Sequence, residues 1–192
     1  MRFASLGSGS RGNSLVVEAG GARLLVDAGF SARATAARLA RLALRPEEIS
    51  AILVTHEHRD HTAGVPLLSA RHGIPVYMTH GTRAAWPAGE KCAECRLIEA
   101  GARFAVGDLE ITPIPVPHDA REPVQFVFSD GARRLGVLTD CGSATPHAAA
   151  MLAGCEALVL ECNHDPELLA ASSYPDQVKR RIAGRFGHLA NA

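Results

Sequence analysis

The sequence has no unbroken apolar stretch near the ~18 residues that a membrane-spanning helix requires, and Met1-Arg2-Phe3-Ala4 reads as the start of a strand, not as a leader. No membrane association is expected, and a cytoplasmic location is the default. An excess of charge of one sign is missing too: Lys+Arg and Asp+Glu stand at 20 each. No global positive field advertises nucleic-acid binding, which would have to come from a local patch. Lysine is scarce, 2 against 18 arginines, which reads as compositional bias. Five cysteines cannot form an even disulfide set. Cys92 and Cys95 make a lone Cys-x-x-Cys without the second pair of a zinc ribbon, and read as loop residues. Cys141, Cys155 and Cys162 flank apolar runs and read as small buried hydrophobes. No linker or low-complexity segment divides the chain, and its 192 residues suit one domain, 1–192, with a core of its own.

What is present in abundance is metal-ligating chemistry in one place. Directly after the apolar run Ala51-Ile52-Leu53-Val54 comes His56-Glu57-His58-Arg59-Asp60-His61, four strong donors in six positions. Side chains alternate along an extended segment, so His56 and His58 leave the strand end on one side and can share one ion. Asp60 and His61 fall where the backbone turns into a helix expected over Thr62 to Arg71, and can face a second ion. Neutral imidazole with carboxylate suits zinc best, with manganese or iron as alternatives. Two such ions ~3.5–4 Å apart form a hydrolytic clamp for phosphate esters and other electrophiles.

Short apolar runs alternate with turn signals along the rest of the chain. Strands are expected at Ser14 to Glu18 and Ala22 to Asp27 around Gly20-Gly21, at Ala51 to Thr55, and at Ile74 to Met78 after a break at Gly73. Two further hairpins are expected, Arg103 to Val106 with Leu109 to Val116, and Val124 to Ser129 with Arg134 to Thr139. One more strand covers Ala157 to Glu161. Helices are expected at Ala32 to Leu44, Pro146 to Leu152 and Pro175 to Ala183. Strands separated by helices in both halves favour two packed sheets with helices outside, an α/β (α+β) architecture. Asp27, His118 and Asp140 each follow a strand, where ends converge on one rim, so all three can meet the histidine loop. A lone Asp in that position is more often a turn residue; its pairing with a rich metal loop reverses the odds.

In this order and at these separations, Asp27, His56-x-His58-x-Asp60-His61, His118 and Asp140 resemble the metallo-beta-lactamase superfamily. Gly7-Ser8-Gly9-Ser10-Arg11-Gly12-Asn13-Ser14, Glu161-Cys162-Asn163-His164-Asp165 and Gly187-His188-Leu189-Ala190-Asn191 are similar to its YycJ/WalJ branch, whose members are regarded as DNA exonucleases. The resemblance implies a four-layer αββα sandwich with two divalent ions at one sheet edge. It implies that His56, His58 and His118 hold the first ion, Asp60 and His61 the second, and that Asp140 bridges them. Asp27 would orient the histidine loop by hydrogen bonds without touching metal.

By likeness to a Gly-His-Ser-Thr element of tRNA-processing nucleases, His188 would protonate the leaving oxygen or steady the scissile phosphate. Asp60 would take or relay the proton of the attacking water. His164 is divided between a loop contact and a substrate-side role. Lys179, Arg180, Arg181 and Arg185 form a local basic cluster for DNA phosphates, or a solvated helix face. Family members continue for about sixty residues (the remainder of one domain by size,) beyond this point and supply a last histidine ligand, so the chain is expected to be incomplete at its C-terminal end. The expected function is metal-dependent hydrolysis of DNA phosphodiesters. The alternatives are another hydrolase on this scaffold, a cyclic-phosphate phosphodiesterase or a glyoxalase-II-like thioesterase, or a metal-binding fragment without catalysis.

Overall fold

The structure, a computed structural model, describes residues 1–191; Ala192, the last position of the expected domain, lies outside the described residues. Two sheets face each other. The first contains β1 (Arg2–Gly7), β2 (Ser14–Ala19), β3 (Ala22–Val26), β4 (Ala51–Leu53), β5 (Pro75–Thr79) and β6 (Glu94–Ile98), side by side in that order. Its first three strands are antiparallel and β3 to β6 are parallel. The second contains β7 (Phe104–Val106), β8 (Leu109–Pro115), β9 (Val124–Ser129), β10 (Arg134–Leu138) and β11 (Ala157–Leu160), in spatial order β11-β10-β9-β8-β7. It is antiparallel except for the β10–β11 pair, which is joined through a crossover helix.

The alternation of side chains across a strand sorts the apolar residues into layers. In β3, Leu24 and Val26 point between the sheets, where they join Val17, Ile111, Phe126, Phe128 and Val137. Leu25 points the other way and packs with Ile52, Val54, Leu39, Val65 and Leu68. That outer face is covered by α1 (Ala32–Ala40) and α3 (Val65–His72), which explains why Leu24, Leu25 and Val26 follow one another without alternation. Across the molecule, Ile114 and Val127 of the second sheet pack against Ala148 and Met151 of α5 (Pro146–Leu152). The four layers expected from the resemblance are therefore present. Among the described residues, no helix is long and apolar enough to cross a membrane.

Several elements depart from the sequence reading. The helix expected over Ala32 to Leu44 ends at Ala40, and Ala43 adopts a left-handed φ of 56° that no helix continues through. The single helix expected over Thr62 to Arg71 is two, α2 (Arg59–Thr62) and α3, split at Ala63-Gly64; α3 then stops where Gly73 turns left-handed at φ 67°. Cys95, expected in a loop, sits in β6, paired in parallel with Val76. Helices α4 (His80–Ala84) and α6 (Pro166–Ala171) were not expected, while α7 (Asp176–Ile182) lies within the expected span. Of the three cysteines expected to be buried, Cys141 is, Cys155 is half-buried and Cys162 is exposed.

Candidate metal centre and its rim

Most residues that build the site come from segments that follow a strand, at the same end of the two sheets. Parallel β3 and β4 deliver Asp27 and, through Thr55, His56. Strands β8 and β10 point the same way because each is antiparallel to β9, and they deliver His118 and Asp140. Strand β11, parallel to β10, delivers Glu161. The carboxyl ends of the strands thus form one rim, the place where open sheets leave room for a ligand.

The first donor cluster is His56, His58 and His118. His56 Nε2 lies 3.0 Å from His58 Nδ1, and His118 Nε2 lies 3.3 Å from that same His58 nitrogen. Burial keeps His56 well below the usual histidine range and holds His118 down as well, so both favour the neutral form that binds metal. His118 is fixed from behind by its Nδ1, 3.0 Å from the carbonyl of Gly187. A second cluster is His56, His61 and Asp140, with His61 Nε2 3.1 Å from Asp140 Oδ2. A third is Asp140, Glu161 and His188. Asp140, shared by the last two, is the hinge of the site. Burial opposes its charge, but hydrogen bonds from His188 and His61 outweigh that and hold its carboxyl far below the ordinary range.

Behind the donors stands a fixed frame. Asp27 Oδ1 accepts from the Thr55 amide at 2.8 Å, and its Oδ2 accepts from the Thr55 hydroxyl and from His61 Nδ1, each at 2.8 Å. Asp27 itself has a left-handed φ of 59°, which a non-glycine residue adopts at some cost. Burial raises its carboxyl. Burial also pulls His61 down, yet the charge of Asp27 and the contact with Asp140 prevail and push it up to about 10. Asp27 thus touches the back of His61 and is in none of the donor clusters. Gly29 is required by close approach: a Cβ there would lie 1.6 Å from the carbonyl oxygen of Asp60. Glu57 points away from its histidine neighbours and accepts from the Arg121 amide at 2.7 Å, tying the histidine loop to the loop that carries His118.

Asp60 belongs to none of the three donor clusters. Its Oδ2 lies 3.6 Å from His61 Nε2 and its side chain is 34% exposed, at the edge of the site. His188 Nδ1 contacts Glu161 Oε1 at 2.6 Å and Asp140 Oδ1 at 3.3 Å. The hydrogen bond to Asp140, then that to Glu161, pushes His188 up to about 9. Among the described residues His164 joins no cluster and its buried Nδ1 meets no partner, while its backbone pairs with the Ala190–Asn191 segment. The basic cluster divides. Lys179 folds back onto the Ala170 carbonyl and Arg181 pairs with Asp119, while Arg180 and Arg185 are exposed without an ion-pair partner among the described residues.

Three residues of the site were not singled out from sequence. Asp119 Oδ1 lies 3.4 Å from His118 Nε2 and 3.9 Å from His58 Nε2. Glu161 Oε2 accepts from the amides of Cys141 and Leu189 while its other oxygen holds His188. Asn13 Nδ2 lies 3.1 Å from Asp60 Oδ2 and 3.0 Å from His61 Nε2. The position of Glu161 after an apolar strand is the same signal that marked Asp140; Asp119 and Asn13 carry no such signal.

The exodeoxyribonuclease YycJ of Bacillus anthracis is 37% identical over 197 residues, spanning 100% of this chain and 74% of the relative. The exodeoxyribonuclease WalJ of Streptococcus pneumoniae is 34% identical over 198 residues, 99% of this chain and 72% of that protein. Zn2+-bound PqqB from Methylobacterium extorquens superposes with a TM-score of 0.71 at 21% identity, covering 94% of this chain and 71% of that one, a likeness of fold. The family model for the beta-lactamase superfamily domain matches residues 22–190. With its two facing sheets, its helical outer layers and its histidine and aspartate clusters at the strand ends, this chain belongs to the beta-lactamase superfamily.

Proposed function

We propose that the chain is a metal-dependent exodeoxyribonuclease that hydrolyses phosphodiesters at the strand-end rim. The observation that carries this reading is the position of Asp140, which touches the donor His61 on one side and His188, gripped by Glu161, on the other. A metal cluster and a proton donor therefore share one carboxylate. Similarity to two exodeoxyribonucleases along this whole chain, and along 74% and 72% of theirs, supports the choice of substrate.

The residues fit a pair of divalent ions. Tetrahedral ligands ~2.0–2.1 Å from zinc stand about 3.3–3.4 Å from one another, and the imidazole nitrogens of the first cluster are 3.0 and 3.3 Å apart. Lone pairs that converge so closely in a buried place call for a cation between them. His56, His58 and His118 would hold one ion and His61 and Asp140 the other, with Asp60 beside them at the exposed edge. The mixture of imidazole and carboxylate favours zinc, with manganese or iron as substitutes. When bound, such a pair supplies Lewis-acid polarisation of the phosphoryl group and a more acidic attacking water.

The chain's own groups move the protons. Asp60, at the exposed edge of the site, accepts the proton of the water as its oxygen bonds to phosphorus. The phosphorus–oxygen bond to the departing strand breaks, and its electron pair stays with the leaving oxygen. His188 gives that oxygen a proton, and its hydrogen bonds to Asp140 and to Glu161 keep the imidazole charged and aimed beforehand. Asp27 orients His61 through Nδ1, which leaves Nε2 beside Asp140, where it would be available to an ion. Arg180 and Arg185 face solvent and are free to meet phosphates of the incoming strand. A cytoplasmic site of action agrees with a DNA substrate.

End-labelled single- and double-stranded DNA, incubated with the purified chain and Mn2+ or Zn2+, tests the reading. Stepwise release of terminal nucleotides is expected, abolished in Asp140→Ala and Asp60→Ala. DNA left intact by a metal-loaded protein that turns over a cyclic phosphate or a thioester would remove the nuclease assignment.

A further inference from the structure

Cys92 and Cys95, the lone Cys-x-x-Cys of the sequence, come together on the outer face of the first sheet. Alternation along β6 places Cys95 there. Arg96 reaches the Tyr77 hydroxyl and Ile98 enters the core between the sheets, so Cys95 points the other way. Cys92 packs on that same outer side, against the layer that holds Met78 and Trp86. Both cysteines line one cavity of about 160 Å³, together with Arg83, Trp86, Glu90 and Lys91. None of these residues belongs to the donor clusters at the rim.

We infer that Cys92 and Cys95 form a thiol–disulfide exchange site, closed by a low-molecular-weight disulfide and reopened by excess thiol. Both are free thiols in the structure, Cys95 exposed and Cys92 half-buried. The backbone between them is already set. It bends at Ala93, whose amide donates at 2.9 Å to the buried hydroxyl of Ser69, which itself donates to the Ile74 carbonyl at 2.6 Å. Cys95 is held by the parallel pairing of β6 with Val76. Residues three apart across a tight turn lie within ~7 Å of each other, and a disulfide spans ~4.4–6.8 Å between Cα atoms.

Charge decides between a disulfide and a metal ion. Two cations, Arg83 and Lys91, and one carboxylate, Glu90, line the cavity, a poor place for a further cation. Burial, then the charge of Cys95 close by, push the Cys92 thiol up to about 11. Cys92 therefore resists becoming the thiolate that a metal requires, whereas a disulfide carries no charge to bury. Burial raises Cys95 as well, but Arg83 pulls it back. Cys95 is thus the attacking sulfur. Its thiolate bonds to one sulfur of the small disulfide, whose S–S bond breaks and releases one thiol carrying the proton from Cys95. The Cys92 sulfur then displaces the second small thiol, which leaves with the proton of Cys92. Two electrons pass from the protein to the small disulfide.

The chain carries its own reporter, because its one tryptophan, Trp86, lines the same cavity. Lys91 and Arg96 bracket the pair, so trypsin releases both cysteines in the single peptide Cys92–Arg96. The full, metal-loaded chain is treated with oxidised glutathione, alkylated and digested. That peptide should appear unalkylated and two hydrogens lighter than its thiol form, and Trp86 emission should fall. Both changes should reverse in excess reduced glutathione. Cys92→Ser should stop at a mixed disulfide on Cys95, and Cys95→Ser should lose both the cross-link and the change in emission. A peptide with both cysteines alkylated, both carrying glutathione, or joined to Cys162 or to another chain would overturn the inference. So would protection of the pair by added Zn2+ in place of the cross-link.

Discussion

At the scale of single residues, the site depends on groups that never touch the reaction. Asp27 is the clearest. Its two oxygens receive an amide, a hydroxyl and an imidazole, so it fixes both the strand end and the tilt of His61. Asp27→Ala should therefore lower metal affinity by about 10- to 100-fold, the usual cost of losing such a partner. Competition with a chelator measures it, and undiminished affinity would show that His61 is held by something else. Gly29→Ala tests the neighbouring approach of two backbones. Its new Cβ would overlap the Asp60 carbonyl, so the histidine loop must shift and metal content should fall even if the chain folds. Three of the donors, His56, His58 and His61, were legible in the sequence because they fall within six positions. Asp27 and Asp140 were legible because strand ends converge. Asp119 and Asn13 were not, since each gains its role only when distant loops meet; Asp119 pairs with Arg181, 62 residues further on.

Among elements, strands were easier to read than helices. Alternating apolar runs closed by Gly-Gly, Gly-Asp and Asp-Gly define the three hairpins almost to the residue. Helix ends were harder because alanine-rich Ala32 to Leu44 has helical propensity throughout, and only the tertiary course of the chain sets Ala43 left-handed. Strand β6 escaped notice because four of its five residues are exposed, leaving no buried face to give a period. Helix α7 shows why a basic run cannot be taken whole. Lys179 and Arg181 are engaged within the protein, which leaves Arg180 and Arg185 to face a polyanion. Changing these two to glutamate should weaken binding to single-stranded DNA and flatten the slope of log K against log salt by ~1.4, at ~0.7 for each phosphate no longer neutralised. An unaltered slope would leave both arginines as solvated surface residues.

At the scale of the whole molecule, the core and the metal centre make separable contributions to stability. Phe126 is fully buried between the sheets, and its ring centroid lies 6.1 Å from that of Phe128. Phe126→Ala should cost ~3–5 kcal/mol through forfeited transfer energy and a residual cavity, while leaving metal stoichiometry intact in the folded fraction. Metal removal should act from the opposite end of the fold. Without cations, buried imidazoles and carboxylates from both sheets converge uncompensated, so the ions join the sheets at the rim much as Phe126 joins them in the middle. Ligand linkage sets the scale: at a free metal concentration 1,000 times Kd, binding stabilises the folded chain by ~4 kcal/mol. Chelation should thus lower the melting temperature by an amount that grows with the metal concentration of the starting sample. The shift should shrink in Asp140→Ala, which removes the carboxylate common to two of the clusters, and persist in full in Phe126→Ala. Calorimetric scans of the three proteins with and without EDTA measure this. A shift of equal size in the parent and in Asp140→Ala would mean that metal stabilises the fold somewhere other than the strand-end rim.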